Sequence, residues 1–371
     1  MANEFITVKE IARQTLPRLI ENLVFPNLIH KDFSNDFVAG KGATIQVKKP
    51  VILTAKEFNE SEGTSAQDVK EESVDVTLDK LATVDIEFGA IQRATNVDDL
   101  NRLFLEPAAV ALAEKINSDG LFLYKDIPYT VGTAGTTPSK LSDLANARKM
   151  LNTNKVPIAG RVAVWDPEAD ANFTTIDAIV NAEKSGSTNA LREGSIGRVF
   201  GLDNYMSQGV KQHATGITAF DTVKLGAIAE IGATTIQLTG TTLTGKLLKG
   251  DVLTIAGNNY TVIEDTAGAS GNSIASVEIY PALKARGTTS TVVKMIANHT
   301  ANLAFNPMAF AFVTRPLVAP AGVESYVTSY NGITLRVVRG YDMKYKKEML
   351  SMDVLYGYKT MYPELATRVL G

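Results

Sequence analysis

The feature of the sequence that most constrains its fold is a change of composition near Phe220. From Thr222 to Ile296 the chain is rich in Thr and Gly, and short segments alternate apolar with polar residues between turn-forming residues. This pattern predicts a small all-β module, hereafter the β module. Its predicted strands are Thr235–Leu238, Asp251–Ala256, Tyr260–Ile263, Ile274–Tyr280 and Thr291–Met295. Because apolar strand resumes at Ala301, we expect the β module to be inserted in a larger domain, with its two ends close in space.

The segments before the β module alternate between helical and strand patterns. Asn96–Lys125 predicts a long helix, and its Ala-rich part, Ala108–Ala113, indicates close packing on two faces. Ser139–Leu151 predicts a second helix, Arg161–Trp165 a buried strand, and Asp166–Ile179 a third helix. Helices and strands that alternate in this way favour a mixed α/β body in the middle of the chain. The fold class predicted for the whole chain is α+β.

The N-terminal segment has the pattern of a helical arm. Thr7 and Glu10 have the spacing of a capping box, and Pro17 is expected to kink the helix or divide it in two. The helix is expected to end near Phe25, and Asp32–Gly42 reads as a polar loop. Its predicted apolar stripe consists of Ile11, Leu16, Leu19, Ile20 and Leu23.

Two strand regions follow, Ala43–Leu53 and Glu72–Phe88, joined by the long polar connection Thr54–Glu71. Lys56–Glu87 contains ten acidic residues and three lysines, a local net charge of −7. A long two-stranded projection is marginally stable by itself and needs a surface on which to lie. The alternative is an ordinary hairpin at the edge of one domain.

The C-terminal part reads as strand. Ala301–Val323 is apolar, but Asn302, Asn306 and Arg315 argue against a membrane span, so buried strand and turn are predicted. Another hairpin is expected between Ile333 and Tyr358, and from residue 331 onward seven basic residues face four acidic ones, a net charge of +3.

Composition excludes several kinds of site. The chain has no Cys, so disulfides, thiolate metal sites and thiol nucleophiles are absent. Its three histidines, at 30, 213 and 299, follow no spacing rule, and structural or loop roles are predicted for them. A formal net charge of −3 gives no overall reason for nucleic-acid or membrane binding. The first residues lack a secretory signal pattern, so the protein is expected to start in the cytosol.

Two segments come close to known ligand motifs. Gly240–Leu247 fits the phosphate-loop pattern except for its last letter, and Leu247–Asp251 predicts a turn between strands where a helix is required. Asp265–Ser276 has the length of a calcium loop, but Ala267 and Ala269 occupy ligand positions. No nucleophile elbow occurs either. We therefore predict no catalytic, cofactor-binding or metal-binding residues, no cofactor and no enzymatic activity.

Four sequence pieces, together with the order of elements, carry a resemblance to a known family. The pieces are Gly197–Ser207 (GRVFGLDNYMS), Lys249–Gly257 (KGDVLTIAG), Asn302–Pro316 (NLAFNPMAFAFVTRP) and Tyr362–Gly371 (YPELATRVLG). In these pieces and in its element order the chain resembles the tailed-bacteriophage major capsid proteins of the Hong Kong 97-type fold. More narrowly, it resembles the coat-protein family of short-tailed phages that carries an inserted β domain.

The resemblance implies a division of the chain into functional segments. It implies an N-terminal arm (1–36), an extended loop (43–88) and an inserted β domain (222–296). It also implies a peripheral domain with a spine helix (89–138 and 319–371) and an axial domain (139–221 and 297–318). The acidic extended loop would lie on a neighbouring subunit, with the basic C-terminal hairpin of that subunit as a candidate partner.

The same resemblance implies a function without catalysis. The chain would be a virion structural protein that assembles with itself into pentamers and hexamers of an icosahedral procapsid in the host cytoplasm. Scaffolding protein, portal protein and DNA packaged without sequence-specific binding would be its partners, and no membrane would be involved. Three alternatives are an encapsulin-like bacterial nanocompartment shell, a carbohydrate-binding surface protein and a hydrolase whose site no motif reveals.

Overall fold

The computed structural model describes residues 8–31, 44–48, 73–89, 106–186, 188–320, 322–330, 332–344 and 347–371. Within them the chain combines helices with antiparallel and mixed sheets, so the predicted α+β class is confirmed. The chain divides into two compact units, and each is described by itself. Unit 1 comprises Met1–Pro17, Lys31–Ala108 and Ala311–Met361, and unit 2 comprises Arg18–His30, Ala109–Phe310 and Tyr362–Gly371.

The elements are numbered in chain order. The helices are α1 (Val8–Asn22), α2 (Glu106–Leu121), α3 (Leu141–Thr153), α4 (Pro167–Thr174), α5 (Asp177–Val180), α6 (Ala182–Ser185) and α7 (Asn189–Glu193), with 3-10 turns at Phe25–Leu28, Phe122–Asp126, Pro307–Ala309 and Pro363–Leu365. The strands up to the β module are β1 (Thr44–Lys48), β2 (Ser73–Thr77), β3 (Lys80–Gly89), β4 (Thr130–Gly132), β5 (Val162–Trp165), β6 (Arg198–Val199), β7 (Leu202–Met206), β8 (Gln212–His213) and β9 (Ile217–Asp221). The strands of the β module are β10 (Lys224–Leu225), β11 (Thr235–Thr239), β12 (Thr242–Gly245), β13 (Val252–Ile255), β14 (Asn258–Val262), β15 (Ser273–Tyr280) and β16 (Val293–Met295). The last strands are β17 (His299–Phe305), β18 (Phe310–Thr314), β19 (Glu324–Tyr330), β20 (Ile333–Asp342), β21 (Lys347–Thr360) and β22 (Ala366–Leu370).

Unit 1 contains a five-stranded sheet that corrects the expected hairpin. The alternating segment 72–88 forms two strands, because β2 pairs with β1 whereas β3 pairs with β21 over ten residues. The apolar face of β3 continues that of β21, as in the pairs Val84 with Met352 and Ala82 with Val354. The expectation that 43–88 forms one two-stranded projection is therefore wrong, because β3 belongs to a sheet of its own chain. The connection 54–71 lies outside the described residues.

The N-terminal helix is single. The five positions of the predicted apolar stripe are all buried. Pro17 lies inside α1 on its exposed side, where water can hydrate the carbonyl that loses its hydrogen bond. Of the two effects predicted for Pro17, a kink or a division, the division is wrong, because α1 continues through Pro17. The capping residue Thr7 and the loop 32–42 lie outside the described residues, and α1 ends at Asn22 instead of near Phe25.

Helix α2 is packed on one side. Ala109 and Ala113 are buried, whereas Ala111 is exposed, so the prediction of close packing on both faces is wrong. Alanine favours a helix wherever it lies, so its abundance does not report burial. The predicted start at Asn96 lies outside the described residues, and the α-helix ends at Leu121, after which Phe122–Asp126 forms a 3-10 turn.

Unit 2 is organised around a seven-stranded sheet, hereafter the host sheet. Its strand order is β4-β22-β17-β5-β7-β6, and β8 also pairs with β17. The predicted buried strand is present as β5, with Trp165 fully buried against Phe173 of α4. The third predicted helix ends earlier than expected, since α4 stops at Thr174 and α5 starts at Asp177. Strand β22 belongs to this sheet and not with the other strands of 319–371, because it pairs with β17 and β4.

The β module has the predicted strands and a core of its own. Its six-stranded sheet has the order β10-β11-β15-β14-β13-β16, and β12 pairs with β9 just before the module. Sixteen buried apolar residues form one cluster, among them Leu253, Tyr260 and Val277. The incoming strand β8 pairs with the outgoing strand β17, with His213 opposite His299. The prediction that the two ends of the module are close in space is confirmed.

Candidate functional site

The most distinctive polar arrangement of unit 2 lies where the β module meets the host sheet. We call it the junction and define it by Arg368, Tyr124, His213, Asp251 and His299. A turn at Gly250 brings the β module against the 3-10 segment Phe122–Asp126. Gly250 has a φ of +98°, and a Cβ there would lie 3.1 Å from the Cα of Lys125. Glycine is therefore required both by the turn and by the close approach.

Arg368 of β22 is the centre of the junction and is fully buried. Its Nη1 donates a hydrogen bond of 2.9 Å to the carbonyl of Gly250, and its Nη2 lies 3.3 Å from both the Lys125 carbonyl and the Thr261 hydroxyl. The guanidinium carbon lies 5.1 Å from the centre of the Tyr124 ring. Burial lowers the pKa of Arg368 to about 10, which leaves the side chain charged at neutral pH. The host sheet thus holds the β module through a buried cation bonded to backbone carbonyls.

Tyr124, His213 and Asp251 form a hydrogen-bonded chain beside this cation. The Tyr124 hydroxyl lies 3.0 Å from Nδ1 of His213, and Nε2 of His213 lies 2.8 Å from Oδ1 of Asp251. The other oxygen of Asp251 accepts a hydrogen bond of 2.8 Å from the amide of Leu248. A neutral His213 with its proton on Nε2 satisfies both contacts, since Nδ1 then accepts from the hydroxyl. Burial raises the pKa of Tyr124 to about 12, so the hydroxyl keeps its proton.

His299 completes the junction and differs from its neighbour His213. Its Nδ1 lies 2.8 Å from the carbonyl of Ala297, so this nitrogen donates and Nε2 is left as an acceptor. Nε2 is buried and has no hydrogen-bond partner. The centres of the two imidazole rings are 5.3 Å apart. Burial is the largest cause that lowers the pKa of His299 to about 4, and the charge of Arg368 acts in the same direction.

Weaker polar contacts surround the junction. Asn259 of β14 donates a hydrogen bond of 2.7 Å to the hydroxyl of Thr130. Lys249 forms an ion pair of 3.0 Å with Asp126, in which both side chains are partly exposed. Because the central groups are buried, this arrangement can fix the position of the β module but cannot admit a substrate.

The segments that come close to ligand motifs have structural roles in the fold. Thr242–Gly245 of the near phosphate loop forms β12, which is followed by the turn before β13 and not by a helix. Asp265, in the segment with the length of a calcium loop, accepts a hydrogen bond from the amide of Lys249 and another from the side chain of Lys246. In the basic C-terminal cluster, Lys347 pairs with Glu87 of the same chain.

The sequence pieces that carry the family resemblance meet in unit 2, apart from residues 311–316 of the third piece, which belong to unit 1. Residues 197–207 form β6 and β7, and 302–316 include most of β17 and all of β18. Gly250 of the second piece accepts a hydrogen bond from Arg368 of the fourth at the junction. Sequence reasoning missed Tyr124 and Thr261, for which no local pattern gave a signal.

Two kinds of site are not found in the part of the chain that the structure describes. No group of three or more His, Asp or Glu side chains there could hold a metal ion. Among the described helices, none is long and apolar enough to cross a membrane.

Comparisons with known proteins agree on one kind of relative. No protein-family model matches the sequence. The chain is 21% identical to the major capsid protein of Acyrthosiphon pisum secondary endosymbiont phage 1, over 97% of each chain. Its fold is similar to a chain of Mycobacterium phage Che8, with a TM-score of 0.56 at 16% identity over 94% of this chain and 90% of that one. It is also similar to a chain of the capsid of Cyanophage P-SCSP1u, with a TM-score of 0.53 at 11% identity over 94% and 88%. The chain therefore has the fold of the tailed-phage capsid proteins and is, over nearly its whole length, a relative of a phage major capsid protein.

Proposed function

We propose that this chain is the major capsid protein of a tailed bacteriophage and that it assembles with itself into the icosahedral head shell that encloses the genome. The observation that carries the proposal is the similarity to a major capsid protein over 97% of both chains. The fold supports it, since the similarity to the two phage chains covers 94% of this chain.

The role is structural and not enzymatic. The polar cluster at the junction is buried, and its cation Arg368 donates to a backbone carbonyl instead of facing a cleft. We propose pentamers and hexamers as the assembling units, with scaffolding protein, portal protein and packaged DNA as further partners. Assembly would take place in the host cytoplasm, and the mature protein would be found in the virion capsid.

The segments would have the roles that the family resemblance implies, with two amendments. Residues 1–36 would be the N-terminal arm, and 222–296 the inserted β domain. The extended loop would consist chiefly of residues before Ser73, because β3 pairs with β21 of its own chain. The axial domain (139–221 and 297–318) would include β22, because that strand pairs with β17. The remaining parts, 89–138 and 319–365, would form the peripheral domain and the spine helix.

Electron microscopy of the purified protein, produced with and without the proteins of neighbouring genes, tests the function. Closed shells of uniform size support it, and a requirement for a co-produced protein supports a scaffold. A chain that stays monomeric under all these conditions contradicts it. Shells that form alone around a host protein cargo support the nanocompartment alternative instead.

Deletion of Thr54–Glu71 tests the proposed extended loop. The variant should stay folded, because β2 and β3 begin after the deleted residues, and it should assemble poorly. A matched variant keeps the length and changes the Glu residues of the segment to Gln. Poor assembly of both variants assigns the contact to charge, and normal shells from the deletion contradict an intersubunit role.

A further inference from the structure

We propose that the junction is an acid-sensitive latch: protonation of His299 releases the β module from the host sheet while the core of the module stays folded. The inference concerns the isolated chain and does not depend on the proposed function. It begins from the position of the junction. His213 and His299 face each other where the chain enters and leaves the β module, so whatever separates them loosens both connections.

A second contact ties the same two connections together. The amide and hydroxyl of Thr215 both donate to the side-chain oxygen of Asn298, at 2.9 and 3.1 Å. This contact carries no titratable group and is exposed. Of the side chains that join these two connections to each other, the titratable ones are therefore the two histidines.

The two histidines differ in their hydrogen-bond partners. Both ring nitrogens of His213 have one, the Tyr124 hydroxyl at Nδ1 and the Asp251 carboxylate at Nε2. His299 cannot take up a proton without cost, because its Nε2 is buried and has no hydrogen-bond partner. A buried donor left without a partner, and above all a charged one, is strongly unfavourable.

The charges that face His299 add to this cost. The charged and titratable groups that act on it are Arg368 from β22, Asp251 from the β module and His213 from β8. Tyr124 and Asp126 of the 3-10 turn act in their turn on Arg368. Arg368 repels a proton on His299, and Asp251 attracts one, but the carboxylate of Asp251 is already engaged by His213 and the Leu248 amide. A charged His299 would thus be a second buried cation beside Arg368.

The pKa of His299 sets the pH range. Burial lowers this pKa from 6.5 to about 4, so the closed junction binds the proton less readily than an open one. The free energy that favours the closed junction is therefore largest above pH 6.5 and decreases as the pH falls from 6.5 towards about 4. Below about pH 4 this group removes no further stability. The core of the β module should stay folded over this pH range, because its sixteen buried cluster residues are apolar.

Hydrogen exchange read by mass spectrometry tests the latch on the full chain in its unassembled form. Exchange is compared at neutral pH and near pH 4, after correction for the chemical rate at each pH. Peptides covering 209–216, 246–251 and 296–302 should exchange about tenfold faster or more at the lower pH. Peptides within 252–262 of the module core and 162–165 of the host sheet should not change.

Two variants separate the latch from general acid unfolding. His299→Gln removes the proton site and should abolish the acid opening, whereas His30→Gln, a histidine outside the junction, should leave it unchanged. Equal acid opening in His299→Gln overturns the proposal. If His299→Gln fails to fold, the unsubstituted chain decides: absence of opening, or opening of the module core at the same pH as the junction, overturns it.

Discussion

The interior of the β module and the junction that fastens it to the host sheet are equally buried but are built from different groups. The interior consists of one cluster of apolar side chains. The junction holds a fully buried arginine, an aspartate and two histidines. An apolar interior is stabilised wherever its side chains leave water, whereas a polar one is stable only when each group meets its partner. The packing of the module interior therefore does not depend on where the module lies against the host sheet. The hydrogen bonds of the junction, in contrast, form in only one relative position of the module and the host sheet.

The largest effect is expected from Arg368→Met. The change keeps a long side chain but leaves two backbone carbonyls and Asp251 without the buried cation, which should cost about 3–5 kcal/mol. Denaturant unfolding of the full chain measures the loss. The control is Arg286→Met, because Arg286 and its partner Glu230 are exposed, and it should cost about 0–1 kcal/mol. Similar losses in the two variants would contradict the special role of the junction.

Leu253→Ala tests the other side of the comparison. Leu253 is fully buried in the module cluster, so the cavity should cost about 2–5 kcal/mol of unfolding free energy. Because the removed group has no charge, the loss should be the same at neutral pH and at mildly acidic pH. Ile231→Ala, at an exposed position of the same module, should stay within about 0.5 kcal/mol. If the loss for Leu253→Ala changes with pH, the distinction between an apolar interior and a titratable junction is contradicted.

Tyr124→Phe removes one hydroxyl and keeps the ring under Arg368. The buried Nδ1 of His213 loses its donor, which should destabilise the chain by about 1–3 kcal/mol. Thermal unfolding compared with Tyr205→Phe, at an exposed tyrosine, isolates the hydrogen bond. If both variants unfold like the unsubstituted chain, the Tyr124–His213 contact contributes nothing to the junction.

Lys249→Ala should have the smallest effect. Its ion pair with Asp126 lies at the partly exposed rim of the junction, so the loss should be about 0–1 kcal/mol. Salt screens such pairs, and the loss should shrink further at high ionic strength. Unfolding at low and high salt measures both. A loss as large as that of Arg368→Met would show that the rim, and not the buried cation, fastens the module.

The sequence predicted the module interior well and the junction not at all. Alternation placed apolar residues such as Leu238, Leu253 and Val277 on strands, and the structure buries them. Ile263 continued the same pattern but is 37% exposed, because it lies just beyond the end of β14. Periodicity indicates on which face of a strand a residue lies, and it is reliable only for residues within the strand.

The junction could not be predicted because its contacts join distant parts of the chain. Tyr124 and His213 are 89 residues apart, and Arg368 reaches Gly250 over 118 residues. The turn Leu247–Asp251 is present as predicted, yet nothing local indicated that Asp251 is buried there. Scattered histidines indicated no site for the same reason, since strand pairing alone brings His213 opposite His299.

The pairing of β8 with β17 has a consequence for how such a chain can be engineered or can diversify. Because the ends of these two strands are neighbours, an inserted domain whose own termini are adjacent can be exchanged for another without a change in the path of the host chain. The requirement that remains is chemical. A replacement for residues 214–298 must offer Arg368 a carbonyl where Gly250 now stands, and His213 a carboxylate where Asp251 does. Otherwise Arg368 and His213 of the host must be replaced together with the guest.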